Sequence, residues 1–167
     1  DRPARWKKPR RIFVGSMGDL FCDGFTDDVI NRVIEAASSY PRHTFQFLTK
    51  APARLSDFNP WPSNAWVGTT VTDQAMMNFA AAHLAAVEAP VRFFSVEPIM
   101  GPVELMWSFP VEWVIIGRMT GPHAKRHQFD PTWVHDLTEQ AHQLGAAVWH
   151  KDNLGDLATV FEWPEVQ

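Results

Sequence analysis

Six short apolar runs punctuate the chain, and each of them closes on polar or charged positions. They are residues 11–17 (RIFVGSM), 44–50 (TFQFLTK), 65–71 (AWVGTTV), 92–98 (RFFSVEP), 112–118 (EWVIIGR) and 146–151 (AAVWHK). Their apolarity is nearly continuous rather than alternating, as in strands covered on both faces or closed into a barrel. Helical periodicity fills most of the gaps. Thr26 is a predicted N-cap, with Asp27 and Asp28 in the first turn and Val29, Ile30, Val33, Ile34 and Ala37 along one face. A second helix opens near Thr72 and Asp73, turns Met76, Phe79, Ala80, His83, Leu84 and Val87 toward a sheet, and stops before Pro90. A third takes Asp130 as cap and Pro131 as its first residue, runs through Val134, Leu137, Ala141 and Leu144, and ends at Gly145.

Between the second and third strands APARLSDFNPWPSN has room for a short helix only, and between the fourth and fifth GPVELMWSFPV reads as a loop with about one turn. Strand–helix–strand repetition with such crossovers predicts parallel pairing and right-handed connections. The expected fold is a single α/β domain over residues 1–167: a partial (β/α) barrel, or an open parallel sheet of about six strands with helices outside. Neither GxGxxG nor GxxxxGK[ST] occurs, so the common nucleotide-binding motifs of open sheets lend no support and the barrel is favoured.

In parallel α/β folds the carboxyl ends of the strands aim side chains at one place, and there ligands bind. Here those ends carry Ser16, Gly18 and Asp19; Thr49 and Lys50; Thr69, Thr70, Thr72 and Asp73; Ser95 and Glu97; Gly117 and Arg118; and His150, Lys151 and Asp152. Emergence of a strand into solvent accounts for about half of such positions. Glu97 and Lys50 stand out. Pro98 fixes the backbone behind Glu97, which suits a hydrogen-bond acceptor or a base; the alternative is an ion pair with Lys50, Arg118 or Lys151 that neutralises charge on the rim. Glu97 and Lys50 are therefore the candidate catalytic pair, and Ser16, Asp19, Thr49, Thr70, Ser95, Gly117, Arg118 and Lys151 the candidate binding residues.

Other features are weaker. The stretch 117–127 (GRMTGPHAKRH) could hold an anion on backbone amides or be an ordinary charged loop. His123, His127 and Asp130 match no metal-ligand spacing, and no metal site is expected. Cys22, ahead of a helix N-terminus, could be a nucleophile but has no assignable His; a small packed cysteine is the simpler reading. Trp61, Trp66 and Trp149 could stack on a planar ligand.

Composition changes this picture in two ways. The single cysteine excludes an internal disulfide and fits a reducing cytoplasm, and no apolar run approaches the roughly 18 residues of a membrane span, so a soluble, membrane-free chain without a secretory signal is expected. The net charge of −4 is also uneven: six of the 15 Lys and Arg residues fall within residues 1–11, DRPARWKKPRR, leaving the remainder acidic. That basic N-terminal arm, interrupted by Trp6, is either a solvated lead-in to the first strand or a track for nucleic-acid phosphates.

Read together and in order, RWKKPRRIFVGSMGDLFCDG, TFQFLTKAPARL, WVGTTVTDQ, VRFFSVEPIMGPVEL, EWVIIGRMTGP and DPTWVHDL resemble the phage-associated, largely uncharacterised family of radical S-adenosylmethionine-like proteins. The resemblance implies a radical-SAM-like partial barrel and a cofactor pocket, with Ser16, Asp19, Thr49, Lys50, Glu97, Gly101, Pro102 and Lys151 on the family pattern. It also implies three cysteines, Cys-x-x-x-Cys-x-x-Cys, upstream of RWKKPRR to hold a [4Fe-4S] cluster. One cysteine cannot supply three thiolates, so this chain alone is not expected to hold the cluster or cleave S-adenosylmethionine reductively. Where the family tends to Gly-Gly-Glu-Ser-Gly after the fifth strand, the chain has Gly117, Arg118, Met119, Thr120 and Gly121, so an acid is missing.

Three functional expectations follow. One is a cluster-less barrel with a small-molecule pocket, S-adenosylmethionine being the candidate cofactor. Another is a phage-related nucleic-acid-binding module using residues 1–11. The third is a cofactor-independent hydrolase or lyase built on Glu97, Lys50 and His150. A first strand without a neighbour would also expose a sheet edge, to be covered by the N-terminal arm or by a second copy in a homodimer.

Overall fold

In the computed structural model, which describes residues 2–107 and 109–165, all six strands form in one parallel sheet. They are β1 (Arg11–Val14), β2 (Thr44–Thr49), β3 (Ala65–Val71), β4 (Val91–Val96), β5 (Trp113–Ile116) and β6 (Ala147–His150), hydrogen-bonded in chain order. That order separates the two expected architectures. A doubly wound sheet reverses its strand order at a switch point. Here every strand lies beside its predecessor, so right-handed crossovers gather on one face and the sheet curls into a half-barrel.

Both faces are apolar, which explains the unbroken runs. On the convex face Phe45, Phe47, Val67, Phe94, Val96, Val114, Ile116 and Val148 are buried with Ile30, Ile34, Leu55, Met77, Leu84, Val134 and Leu137 of the covering segments. The residues of opposite parity, Trp66, Val91, Phe93 and Trp113, form a second buried cluster on the concave face, with Leu48, Ile115 and Trp149 packed at its margin. A Cβ on Gly68 would stand 2.5 Å from the Phe93 ring, so glycine on β3 is what lets that ring fill the floor of the half-barrel.

The helix α1 (Arg2–Arg5) lies in the arm, and α2 (Asp27–Ser38), α3 (Gln74–Leu84) and α4 (Thr132–Gln143) occupy the predicted gaps, with 3-10 turns at Pro52–Phe58, Pro122–Arg126 and Asp152–Leu157. The connection between β4 and β5 is a loop, with neither helix nor strand among residues 97–107 and 109–112, and among the described residues its turn lies at Glu97 and Pro98, ahead of the 101–111 stretch. Asp130 caps α4: its Oδ1 accepts from Thr132 N–H (2.9 Å), which lowers the carboxyl pKa. Asp73 caps α3, its Oδ1 accepting from Met76 N–H at 2.9 Å. Thr26 sits at the N-cap of α2, yet its hydroxyl makes no cap bond.

The buried stripe of α3 is Met77, Ala80 and Leu84, rotated from the expected one, while Phe79 is exposed with its ring 4.6 Å from that of His83. The sequence placed too many apolar residues on this helix for one face to hold. No helix among the described residues is long and apolar enough to cross a membrane.

The sheet edges differ. Beyond β6 the chain returns antiparallel: Glu162 N–H donates to Val148 O (2.8 Å), His150 N–H donates to Val160 O (2.8 Å), and Trp149 bridges Phe161. Trp163 then stacks with Trp149 (4.7 Å), Trp113 (5.1 Å) and Trp66 (6.0 Å), and the Arg11 guanidinium lies 3.8 Å from its ring. This tail covers the edge and plugs the concave face at the amino ends of the strands. At the other edge the arm docks beneath β1 and β2 through His43 rather than along β1, so the expected arm-covered edge is not found, and β1 pairs with β2 alone.

Candidate functional site

The register shows which strand-end residues share a surface. Val71, Val96, Ile116 and His150 are aligned across β3 to β6. The next residues, Thr72, Glu97, Gly117 and Lys151, continue the ladder, as Glu97 N–H bonds Val71 O, Gly117 N–H bonds Val96 O and Lys151 N–H bonds Ile116 O. One step down the concave face lie Thr70 and Ser95, paired in register and both buried; Lys50 follows Thr49, which pairs with Thr69, and so stands level with Thr70. Alternation of side chains then puts Lys50, Thr70, Ser95, Glu97 and Lys151 at the concave mouth.

Glu97 meets Lys151 across Gly117. Lys151 Nζ donates to Glu97 Oε2 at 2.6 Å, and Asn153 Nδ2 donates to Oε1 at 2.9 Å. A Cβ on Gly117 would stand 2.9 Å from Oε1 and 3.0 Å from Cδ and Cγ. Glycine is therefore what allows the carboxylate to lie over β5 and reach the β6 side, and the Glu97–Pro98 bond is cis. Asn153 also accepts from Arg118 N–H at 3.2 Å and donates to Arg118 O at 3.0 Å, while Arg118 Nε donates to Asn153 O. Of the two expected readings, Glu97 is in an ion pair, and its partner is Lys151.

A second cluster forms at β1 and β2. Asp19 Oδ2 accepts from Lys50 N–H (2.7 Å) and the Thr49 hydroxyl (3.0 Å), and Oδ1 accepts from Phe21 N–H (3.0 Å). Those bonds fold the 15–21 turn onto β2, enclosing a hollow of about 270 Å³ lined by Phe13, Gly15, Ser16, Gly18, Asp19, Leu48, Thr49, Lys50 and Thr70. Gly15 has φ of 72°, a conformation glycine adopts without strain. Thr49 is fully buried and its oxygen also accepts from Ala51 N–H, so its hydroxyl is engaged within the protein. None of the ion pairs among the described residues involves Lys50.

His150 lies on the opposite face. It is buried, its Nε2 2.9 Å from Thr138 Oγ1 and its Nδ1 3.0 Å from Leu157 O. Burial lowers its pKa, against a raising influence of the Leu157 carbonyl. The sheet separates it from the concave mouth, so Glu97, Lys50 and His150 form no constellation: the register puts His150 on the face of Val148 and Lys151 on the other.

Cys22 is exposed and unpaired. A [4Fe-4S] cluster needs three thiolates, and this chain's donor set does not fit one. No group of His, Cys, Asp and Glu among the described residues is placed to hold a metal. Trp61 and Trp66 are buried, and Trp149 is taken up by Trp163 and Phe161, so the three do not form a stacking platform. The loop after β5 bounds a separate hollow of about 430 Å³ with Arg118, Met119, Thr120, Gly121, Ala124, His127 and Phe129.

Sequence reasoning missed Asn153, which links Glu97 to Arg118, and Arg54. The Arg54 guanidinium donates to the carbonyls of Phe21, Cys22 and Phe25 at 3.1–3.2 Å and to Asp27 at 2.5 Å, fastening the β1–α2 connection. Their only sequence signal was polarity just beyond a strand end.

Residues 1–160 match the model of a family described as "Protein of unknown function (DUF5131)", and the chain belongs to that family. No curated protein and no solved structure matches the chain.

Proposed function

We propose that this DUF5131 member is a cluster-less, radical-SAM-like partial barrel that binds a small polar ligand at the carboxyl ends of its strands, and that S-adenosylmethionine or a close analogue is that ligand. The observation supporting it is the stepped row Lys50, Thr70, Ser95 and then Glu97, Gly117, Lys151 on one concave surface beside the hollow at Asp19. Lys50 would pair with the ligand's carboxylate. Thr70 and Ser95 would supply hydroxyls. Glu97, already anchored by Lys151 and Asn153, keeps lone pairs for a ligand ammonium or sugar hydroxyl.

The arrangement favours binding over catalysis. The hydrolase or lyase reading loses His150, which lies behind the sheet, and its base candidate Glu97 is already engaged by Lys151 and Asn153, while reductive chemistry has no cluster in this chain to draw on. The lone cysteine makes the cytoplasm the compartment we propose.

Calorimetric titration with S-adenosylmethionine and S-adenosylhomocysteine tests the reading, together with thermal shifts at millimolar ligand. Saturable binding that weakens at least tenfold in Lys50→Ala and Glu97→Gln is expected. No heat and no shift for either compound would overturn it.

A further inference from the structure

We propose that the docked N-terminal arm is a second, independent site, which binds the phosphodiester backbone of nucleic acid by charge rather than by base sequence. The structure adds to the charge count a device that fixes the arm. His43 is 1% exposed, and its two ring nitrogens hold two points of the arm. Nδ1 accepts from Arg10 N–H at 3.2 Å, so the proton sits on Nε2, which donates to Pro3 O at 3.0 Å. Trp6 meets the His43 ring edge-on at 5.9 Å, the Arg10 guanidinium lies 4.9 Å from the Trp6 ring, and Thr44 N–H bonds Arg10 O at 2.9 Å.

The arm is thus held against the amino ends of β1 and β2 with Arg5, Lys7 and Lys8 exposed, while the Arg10 guanidinium lies over Trp6 and that of Arg11 over Trp163. Arg5, Lys7, Lys8, Arg10, Arg11 and Arg42 are all exposed, and none of them is in an ion pair among the described residues. A charged surface already in place loses less entropy on binding than a free tail does. Its occupant must be polyanionic. A phosphodiester chain fits better than a membrane, because no large exposed apolar side chain lies between residues 2 and 11 to enter a bilayer interface. The site stands at the opposite end of the strands from the proposed small-molecule pocket, and the two are separable by mutation.

The test is fluorescence anisotropy of a labelled 20-nucleotide single strand, its RNA counterpart and a 20-base-pair duplex, titrated with the whole chain between 50 and 200 mM salt. Binding is expected with little dependence on sequence and a log–log salt slope of about −3 to −4, as about four neutralised phosphates give. The surface triple variant Arg5→Ala/Lys7→Ala/Lys8→Ala should lower affinity at least tenfold and make the slope shallower, while Lys50→Ala should leave both unchanged. Circular dichroism would establish that the triple variant is folded. Absence of binding at 50 mM salt, an unchanged slope in the triple variant, or binding to anionic phosphatidylserine vesicles without binding to nucleic acid would each overturn the proposal.

Discussion

Replacing Gly117 by alanine is the sharpest perturbation of the strand-end site, because the three atoms nearest the added methyl all belong to Glu97. Its Cβ would stand 2.9–3.0 Å from three atoms of Glu97, and Gly117 does not have the positive φ that would strain alanine itself. Glu97 must swing away. The change then removes the Lys151 pair, worth about 0.2–1 kcal/mol with side chains 24% and 43% exposed, and the Asn153 hydrogen bond, worth about 0.5–1.5 kcal/mol. Restricting the unfolded chain offsets about 0.4–1 kcal/mol. The net cost is therefore about 1 kcal/mol, or roughly 2–4 °C in Tm for a chain of this size.

The coupling is more telling than the cost. In a Glu97→Ala background the obstruction is gone, so Gly117→Ala should become neutral or stabilising. Urea unfolding of the four proteins of this double-mutant cycle measures the difference. An equal cost in both backgrounds would show that Glu97 does not lie over Gly117.

Arg54→Ala should destabilise by about 2–3 kcal/mol, since it leaves three carbonyls and Asp27 without their shared donor; a urea midpoint within error of wild type would contradict this. Trp163→Ala should cost about 2 kcal/mol, less than a fully buried Trp because the residue is 37% exposed, and hydrogen exchange should then accelerate at residues 148–150. Unchanged protection there would dissociate the plug from the β6 edge. Acidification from pH 7.5 toward pH 5 should lower Tm. His150 has a folded pKa below 6.5, so the unfolded state binds the proton first and stability falls as pH drops through that window. His150→Gln should flatten that part of the profile, and a Tm rising on acidification would reverse the sign. The unpaired edge of β1 predicts reversible self-association in sedimentation equilibrium, and a monomer at every concentration would refute it.

What was legible in the sequence followed from local rules. A strand buried on both faces has to be apolar throughout, so all six were visible, and Asp73 and Asp130 mark helix starts because a carboxylate there satisfies free backbone amides. Polar endings located the mouth of the half-barrel. They could not say which side of the sheet each residue takes: His150 and Lys151 are neighbours in sequence but lie on opposite faces. That depends on register, which is set by tertiary packing. The partner of Glu97 was one of three candidates until the ladder placed Gly117 between Glu97 and Lys151. The tail's role was unread because VFEW is too short to declare a strand; its alternation makes sense only once Trp66, Trp113 and Trp149 offer it a floor.

The central claim, a ligand site at the carboxyl ends of the strands, is tested most directly by amide chemical shifts of the isotope-labelled protein titrated with S-adenosylhomocysteine. Saturable shifts grouped at residues 15–19, 50, 70, 95–97, 117 and 151–153 are expected. Shifts confined to residues 2–11, or none at millimolar ligand, would contradict it.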